Sequence, residues 1–491
     1  MEWMQAREPG QQSPLALRPV ISQSGVRWVI TQNEASAMAR NPGAFSRSVQ
    51  SALAVDRHNT LLDTLVPCPD FQHLPRREDS LQMADMYMRT VNCVLPIFRL
   101  DEILALVHRL YEGQHTSSIA AWTAVNAVFA LATAYTCGKS VENTLIAQRY
   151  FQRAADALVG LMLCPANLVA TQALLAMSLY VYIRRDHESA GLLVAAALRS
   201  YHALAIPHAG RLPPNGEGTE VPARRVFWVA FILDQSIALV TGAAPTQDYC
   251  DIVLDLPAPR NKAPLVPTSH EELQHLHFRL MCELALIRGK VFRHLYSEGA
   301  LRLSASDVHM AIKLLNTELL LWKQGNTFVT PGSQSDGLSL FHLTHRLSYC
   351  NTLILINCRY LYGEVQGRAA AERRERITEL CAHAAWDTIE LVSRMSWWHF
   401  DYTGVLVDYI LFATRTICSF VVHDQDRSRR EEMLEKVHEQ VTAACGPAGT
   451  GHDVHSHLTL LLVKLAQLKG YDLGPGTRYG ICKATGGGMS S

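Results

Sequence analysis

The stretch RRVFWVAFILDQSIALVTGAAPTQDYCDIVLDLP, residues 224–257, decides how the chain is read. Pro222 stands just before it, and proline suits the first turn of a helix while disfavouring helix ahead of it. Gly242 marks the end of that helix. Between them Phe227, Phe231, Asp234 and Ala238 fall on one face, and Val226, Ala230, Leu233 and Ile237 repeat the spacing on another. A helix apolar on several faces is a buried helix. Asp234 therefore sits where a carboxylate has to be paired or hydrogen-bonded, and Arg224 and Arg225 are its nearest candidate partners in sequence. Trp228 reads as a core anchor.

Two further helical blocks lie upstream. LQMADMYMRTVNCVLPIF, residues 81–98, has Leu81, Ala84 and Met88 on one face and Pro96 as its close. ATQALLAMSLYVYIRRDHESAGLLVAAALRSYHALAIP, residues 170–207, reads as a helix pair. Its first helix buries Leu175, Leu179 and Tyr182, the turn Arg184, Arg185, Asp186 breaks the pattern, and Val194, Leu198, Tyr201 and Ala205 line the second.

These three blocks, in this order, resemble the middle homology region of fungal zinc-cluster transcription factors, over about residues 78–300. The motif positions that carry the resemblance are Arg224, Arg225, Phe227, Trp228, Asp234, Gly242 and Pro245. The chain departs from the family's habit at two places. Gln235 stands where an arginine usually follows the aspartate, and Gly242, Ala243, Ala244 and Pro245 stand where Gly-Arg-Pro is usual, which removes two surface-prone charges. The resemblance implies an all-α fold, a large multi-helix regulatory domain, and a nuclear regulator of transcription, with a share in the cytoplasm as the alternative. It also implies control of a metabolic or biosynthetic gene set.

Composition bounds that reading. With 491 residues, 48% of them hydrophobic, the chain can bury a large core. The apolar run from Ala173 to Ile183 is too short for a membrane span of about 18–20 residues, and no basic segment leads into an apolar one at the N-terminus. The 12 cysteines are scattered, with no Cys-x-x-Cys, and read as reduced core thiols. A binuclear zinc cluster needs six closely spaced thiolates, so this sequence holds no such reader. Lys plus Arg equals Asp plus Glu at 45 each, far from the basic footprint of a DNA-binding domain. Direct DNA grip by these residues alone is not expected. Protein partners are, either a DNA-bound regulator or a second copy of the chain.

The expected organisation is a mostly disordered segment over 1–75, the homology region over 76–300, a helical continuation over 301–473 and a disordered tail over 474–491. The first segment lies where a zinc cluster would stand in full-length relatives, so either the module was lost or the gene model omits an exon. In the continuation, Ile312, Leu315, Leu319 and Trp322 mark one helix, and Leu343, Leu347, Cys350, Ile354, Cys358 and Leu361 another. Leu406, Ile410, Ala413 and Ile417 form a further apolar stripe.

Catalytic and metal signatures are thin. His452, His455 and His457 lack a His-Glu-x-x-His context. His270, His275 and His277, like His342 and His345, read as surface or cap positions. No cofactor, metal or catalytic residue is expected. Trp397 and Trp398, with His399 and Asp401, form the candidate lining of an apolar pocket for a small-molecule effector. The competing function is an enzyme or ligand-binding protein built on the same helical scaffold, with His399 and Asp401 at its site.

Overall fold

The computed structural model describes residues 74–112, 119–136, 141–204, 222–257, 270–326, 340–362 and 368–393, together with Tyr409, Ala413 and Thr416. Every regular element among these residues is helical and none is a strand, as the sequence led us to expect. The expected tails, the histidines at 452–457 and the aromatic group at 397–401 lie outside the described residues.

The chain opens with α1 (Arg77–Arg89) and α2 (Val91–Val94). The break between them at Thr90, whose hydroxyl bonds Met86 O at 2.7 Å, turns the expected single helix into two. The buried face of α1 is Ser80, Ala84 and Tyr87, a step round from the expected stripe. Then come α3 (Leu100–Tyr111), α4 (Ile119–Thr136), α5 (Val141–Asp156), α6 (Leu158–Leu163), α7 (Leu168–Ile183) and α8 (His187–Ala203).

Two of these form the centre of the first helical group. In α4 and α7 nearly every described side chain is buried, in keeping with the absence of a polar stripe in either. Two buried polar residues of α4 donate within the helix, Thr123 to Ile119 O at 2.8 Å and Asn126 to Trp122 O at 2.9 Å, while Gln172 and Ser178 of α7 donate outside theirs. Asn167 caps α7 by accepting from Ala170 N at 2.8 Å. At the α7/α8 turn Arg185 takes φ 67, and Asp186 then caps α8 by accepting from Ser189 N at 3.1 Å. The expected break at Arg184 to Asp186 is thus a left-handed turn followed by an N-cap.

The second group is α10 (His270–Val291), α11 (Glu298–Leu301), α12 (Ala305–Gly325), α13 (Leu340–Tyr362) and α14 (Arg368–Ser393), with one wide π turn, Phe292–Tyr296, after α10. Leu284, Ile312, Leu319, Leu347 and Ile354 meet in its core. Ile312, Leu315, Leu319 and Trp322 are all buried on α12, as their spacing predicts. Helix α9 (Pro222–Thr241) joins the groups, packing on α7 of the first and α10 of the second. No helix among the described residues is long and apolar enough to cross a membrane.

Candidate functional site

The candidate site is α9 with the segment that follows it, and its construction can be followed from one end to the other. At the N-terminal end Arg225, 6% exposed, donates from Nη2 to Glu102 Oε2 of α3 at 3.1 Å. The same oxygen accepts Gln172 Nε2 of α7 at 3.1 Å and the Arg99 N–H at 2.9 Å, while Gln172 Nε2 also reaches Ile97 O at 2.9 Å. One carboxylate thus ties three helices and the strap before α3. Arg224 turns the other way, 3.9 Å from the exposed Asp255. Neither arginine meets Asp234, which lies about two and a half turns further along a helix that rises about 5.4 Å per turn. The expected pairing is therefore replaced by two others.

Asp234, 5% exposed, is satisfied by backbone instead. Its carboxylate accepts Thr246 N at 3.0 Å and Gln247 N at 2.9 Å. Burial pushes its carboxyl above the usual range, and the two amide donors oppose that shift. Gln235 is buried too and donates from Nε2 to Gln247 O at 2.9 Å. The expectation that this position lies at the surface fails here: Gln235 faces the loop and α10, where its amide oxygen sits only 3.1 Å from the place a Cβ on Gly289 would occupy. Ala243 and Ala244 are exposed, in line with the expectation for them.

Gly242, at φ 76, donates to Ala238 O at 2.9 Å and reverses the chain. Pro245 follows, half-buried, and the chain then runs back along α9. Asp234 meets residues 246 and 247, and Trp228 Nε1, six residues nearer the start of the helix, donates to Asp255 O at 3.1 Å. We call this hairpin of helix and return strap the clasp. Asp248 fixes its middle, capping a 3-10 turn (Tyr249–Asp251) through Cys250 N at 2.9 Å and pairing with Arg293. The apolar side of α9 is aromatic: Trp228 packs edge-on against Phe227 and Phe231, with ring centres 5.6 and 5.8 Å apart, and Phe227 meets Tyr201 of α8.

A second polar structure was missed by sequence reasoning. His277 and His345 are fully buried rather than at the surface, and His277 Nδ1 lies 2.9 Å from His345 Nε2. His277 Nε2 faces Val94 O at 3.3 Å, and His345 Nδ1 faces the Asn326 amide nitrogen at 3.0 Å. A carbonyl only accepts and an amide NH2 only donates, so both ends impose one direction: Asn326 to His345 to His277 to Val94. Both rings are neutral in that chain, each carrying its proton on Nε2. Burial drives His277 down to about 4 and His345 well below its ordinary value. Phe341 stacks on His277 with centres 4.4 Å apart. The relay links α2, α10, α13 and the end of α12. The signal for it was legible: His277, Met281, Leu284, Arg288 and Val291 form one buried stripe of α10, with two polar members on the core face.

Among the described residues no group of three or more histidine, cysteine, aspartate or glutamate side chains could hold a metal ion. What the geometry provides is a polar seam at which α9 packs on α7 of one helical group and α10 of the other. Residues 84–323 match the sequence profile of the fungal specific transcription factor domain, and the clasp lies inside that match.

Relatives agree. The chain is 26% identical over 442 residues to an ABC-transporter-regulating transcription factor of Aspergillus oryzae, covering 84% of this chain and 48% of that protein. It is 29% identical over 318 residues to a protein of the same description from Aspergillus fumigatus, covering 62% and 34%. It is 26% identical over 230 residues to the Fusaridione A cluster transcription factor of Fusarium heterosporum, covering 46% and 44%. The matched parts span half or less of each relative's own length. Each of these relatives is described as a transcription factor.

Proposed function

We propose that the chain is a fungal-type transcription regulator that works in the nucleus through its helical domain and through protein partners. The observation that carries this reading is the family domain over residues 84–323, with α9 at its centre packed on both helical groups. A helix that joins two groups through one carboxylate hub at one end and a backbone clasp at the other couples their relative packing to whatever binds either group. The motif residues Arg224, Arg225, Phe227, Trp228, Asp234, Gly242 and Pro245 hold that seam. Residues 76–300 form the homology region and 301–473 its continuation. By the descriptions of the relatives, the controlled genes are ABC-transporter genes or a biosynthetic cluster.

The test is a fusion of the full chain to a heterologous DNA-binding domain, read on a matching reporter in a fungal host. The expected result is a change in reporter output of tenfold or so that is lost in Glu102→Gln and Asp234→Ala while fusion levels hold. A well-expressed fusion that leaves the reporter flat would refute the reading.

A further inference from the structure

Helix α10 carries a second buried cation that the clasp does not neutralise. Arg288 is 3% exposed. Its Nε donates to Thr352 Oγ1 of α13 at 3.2 Å, its Nη1 to Ser236 Oγ of α9 at 3.3 Å, and its guanidinium carbon lies 5.3 Å from the centre of the Tyr409 ring. None of these partners is an anion. Both hydroxyls already donate their own protons at 2.8 Å, Ser236 to Ile232 O and Thr352 to Ser348 O, so they offer lone pairs and nothing more. Nη2, with two N–H donors, is buried and has no hydrogen-bond partner among the described residues. The ion pairs of the described residues nearest in sequence, Arg279 with Glu283, Lys290 with Glu318 and Arg293 with Asp248, leave Arg288 out.

A guanidinium withdrawn from water loses hydration that two hydroxyls and a π face do not return. A carboxylate, accepting two parallel N–H bonds from the guanidinium fork, is the partner whose shape and charge complete it. The surroundings define the rest of such a partner. Leu284, Ile287 and Val291 lie beside Arg288 on α10, and Leu355 joins them in one aliphatic core. An apolar body suits that environment, and one negative charge suits one arginine; a dianion would leave excess charge in the core.

We propose that Arg288 is the anchor of an effector site at the junction of α9, α10 and α13, taking a small monocarboxylate with an apolar body. Occupancy would draw Ser236 of the clasp and Thr352 of α13 onto one guanidinium–carboxylate pair. This rests on reading the domain as regulatory and names the chemistry of its effector.

The test uses the full chain and thermal unfolding, with sodium benzoate as the probe, benzamide as its uncharged isostere and sodium chloride at equal ionic strength. Benzoate is expected to raise the melting temperature of the unaltered protein saturably, by several degrees beyond either control. Arg288→Met should abolish that shift, and without benzoate should melt no lower than the unaltered protein. Arg288→Lys, which keeps the charge and loses the fork, should bind benzoate at least tenfold more weakly. The proposal is overturned by a benzoate shift no larger than that of benzamide or chloride, or by one that Arg288→Met retains. Should the methionine variant fail to fold, undiminished benzoate affinity in Arg288→Lys overturns it instead. The readout involves no promoter, so it can fail while the reporter result stands, and the reverse.

Discussion

Arg225 and Arg288 are both buried arginines on adjoining helices, and they are treated oppositely. Arg225 is 6% exposed and meets a carboxylate that also gathers Gln172 and the Arg99 amide. Arg288 is 3% exposed and, among the described residues, meets only hydroxyls and a ring. Burial alone therefore does not say what a buried charge is for. Each guanidinium keeps one buried nitrogen without a partner among the described residues, Nε of Arg225 and Nη2 of Arg288, so the contrast lies in the anion: a carboxylate marks the fixed joint, and its lack marks the site where we propose that one arrives.

That contrast can be broken or sharpened by experiment. Trp228→Ala sets the scale on the same helix: removing a fully buried indole should destabilise the protein by about 3–5 kcal/mol in urea unfolding, and a loss under about 1 would mean that α9 is not anchored by its aromatic face. Glu102→Gln comes next. Because the glutamate is a quarter exposed, leaving Arg225 half-paired should remove about 2–4 kcal/mol, and a neutral result would make the two arginines equivalent and end the comparison. Asp234→Ala orphans the amides of Thr246 and Gln247 and should remove about 1–3 kcal/mol, with faster proteolysis in the return strap as its local signature.

The histidine relay supplies a pH arm. His277 is held down to about 4 from an ordinary 6.5, so its contribution is fully present above about 6.5 and is lost as the pH falls from there toward 4. His345 is lowered as well and adds in the same direction. Asp234, whose carboxyl is raised, has the opposite sign: its favourable contribution is present below its ordinary value and is lost as the pH rises. Stability measured between pH 7 and 4.5 should fall by up to about 1.4 kcal/mol per pH unit for each histidine, and His277→Phe should flatten that slope. An unchanged slope in the variant would show that the relay does not bind protons on unfolding. The smallest effect is expected at Arg288→Met, about 0 kcal/mol or slightly stabilising without ligand, against the clear loss at Glu102→Gln.

The reach of the sequence follows from what periodicity encodes. The span of α9, its proline start, its Gly242 end and the burial of Phe227, Trp228 and Phe231 all follow from residues within one helix, and they were legible. The family resemblance over 78–300 was legible for the same reason, since it rests on contiguous blocks. Partners were not. Glu102 is 123 residues from Arg225 and His345 is 68 residues from His277, and no local pattern specifies such a pairing. The position of Gln235 reads as a surface one from the charge that the resemblance puts there, whereas a loop folded back onto the helix buries it and gives it a carbonyl to serve. The polar members of the α10 stripe could have been flagged from spacing alone; what they touch could not.

The clasp has a consequence for how the protein assembles. Trp228, Asp234 and Gln235 all find their hydrogen-bond partners in the strap that ends at residue 257, within about 30 residues of chain. Closing so short a loop carries little entropic penalty, so α9 can satisfy these deeply placed polar atoms by itself before either helical group reaches it. The helix then docks as a preassembled wedge. Only its two ion-handling points, Arg225 toward α3 and Ser236 toward Arg288, wait for distant chain, and these are where assembly can still be steered.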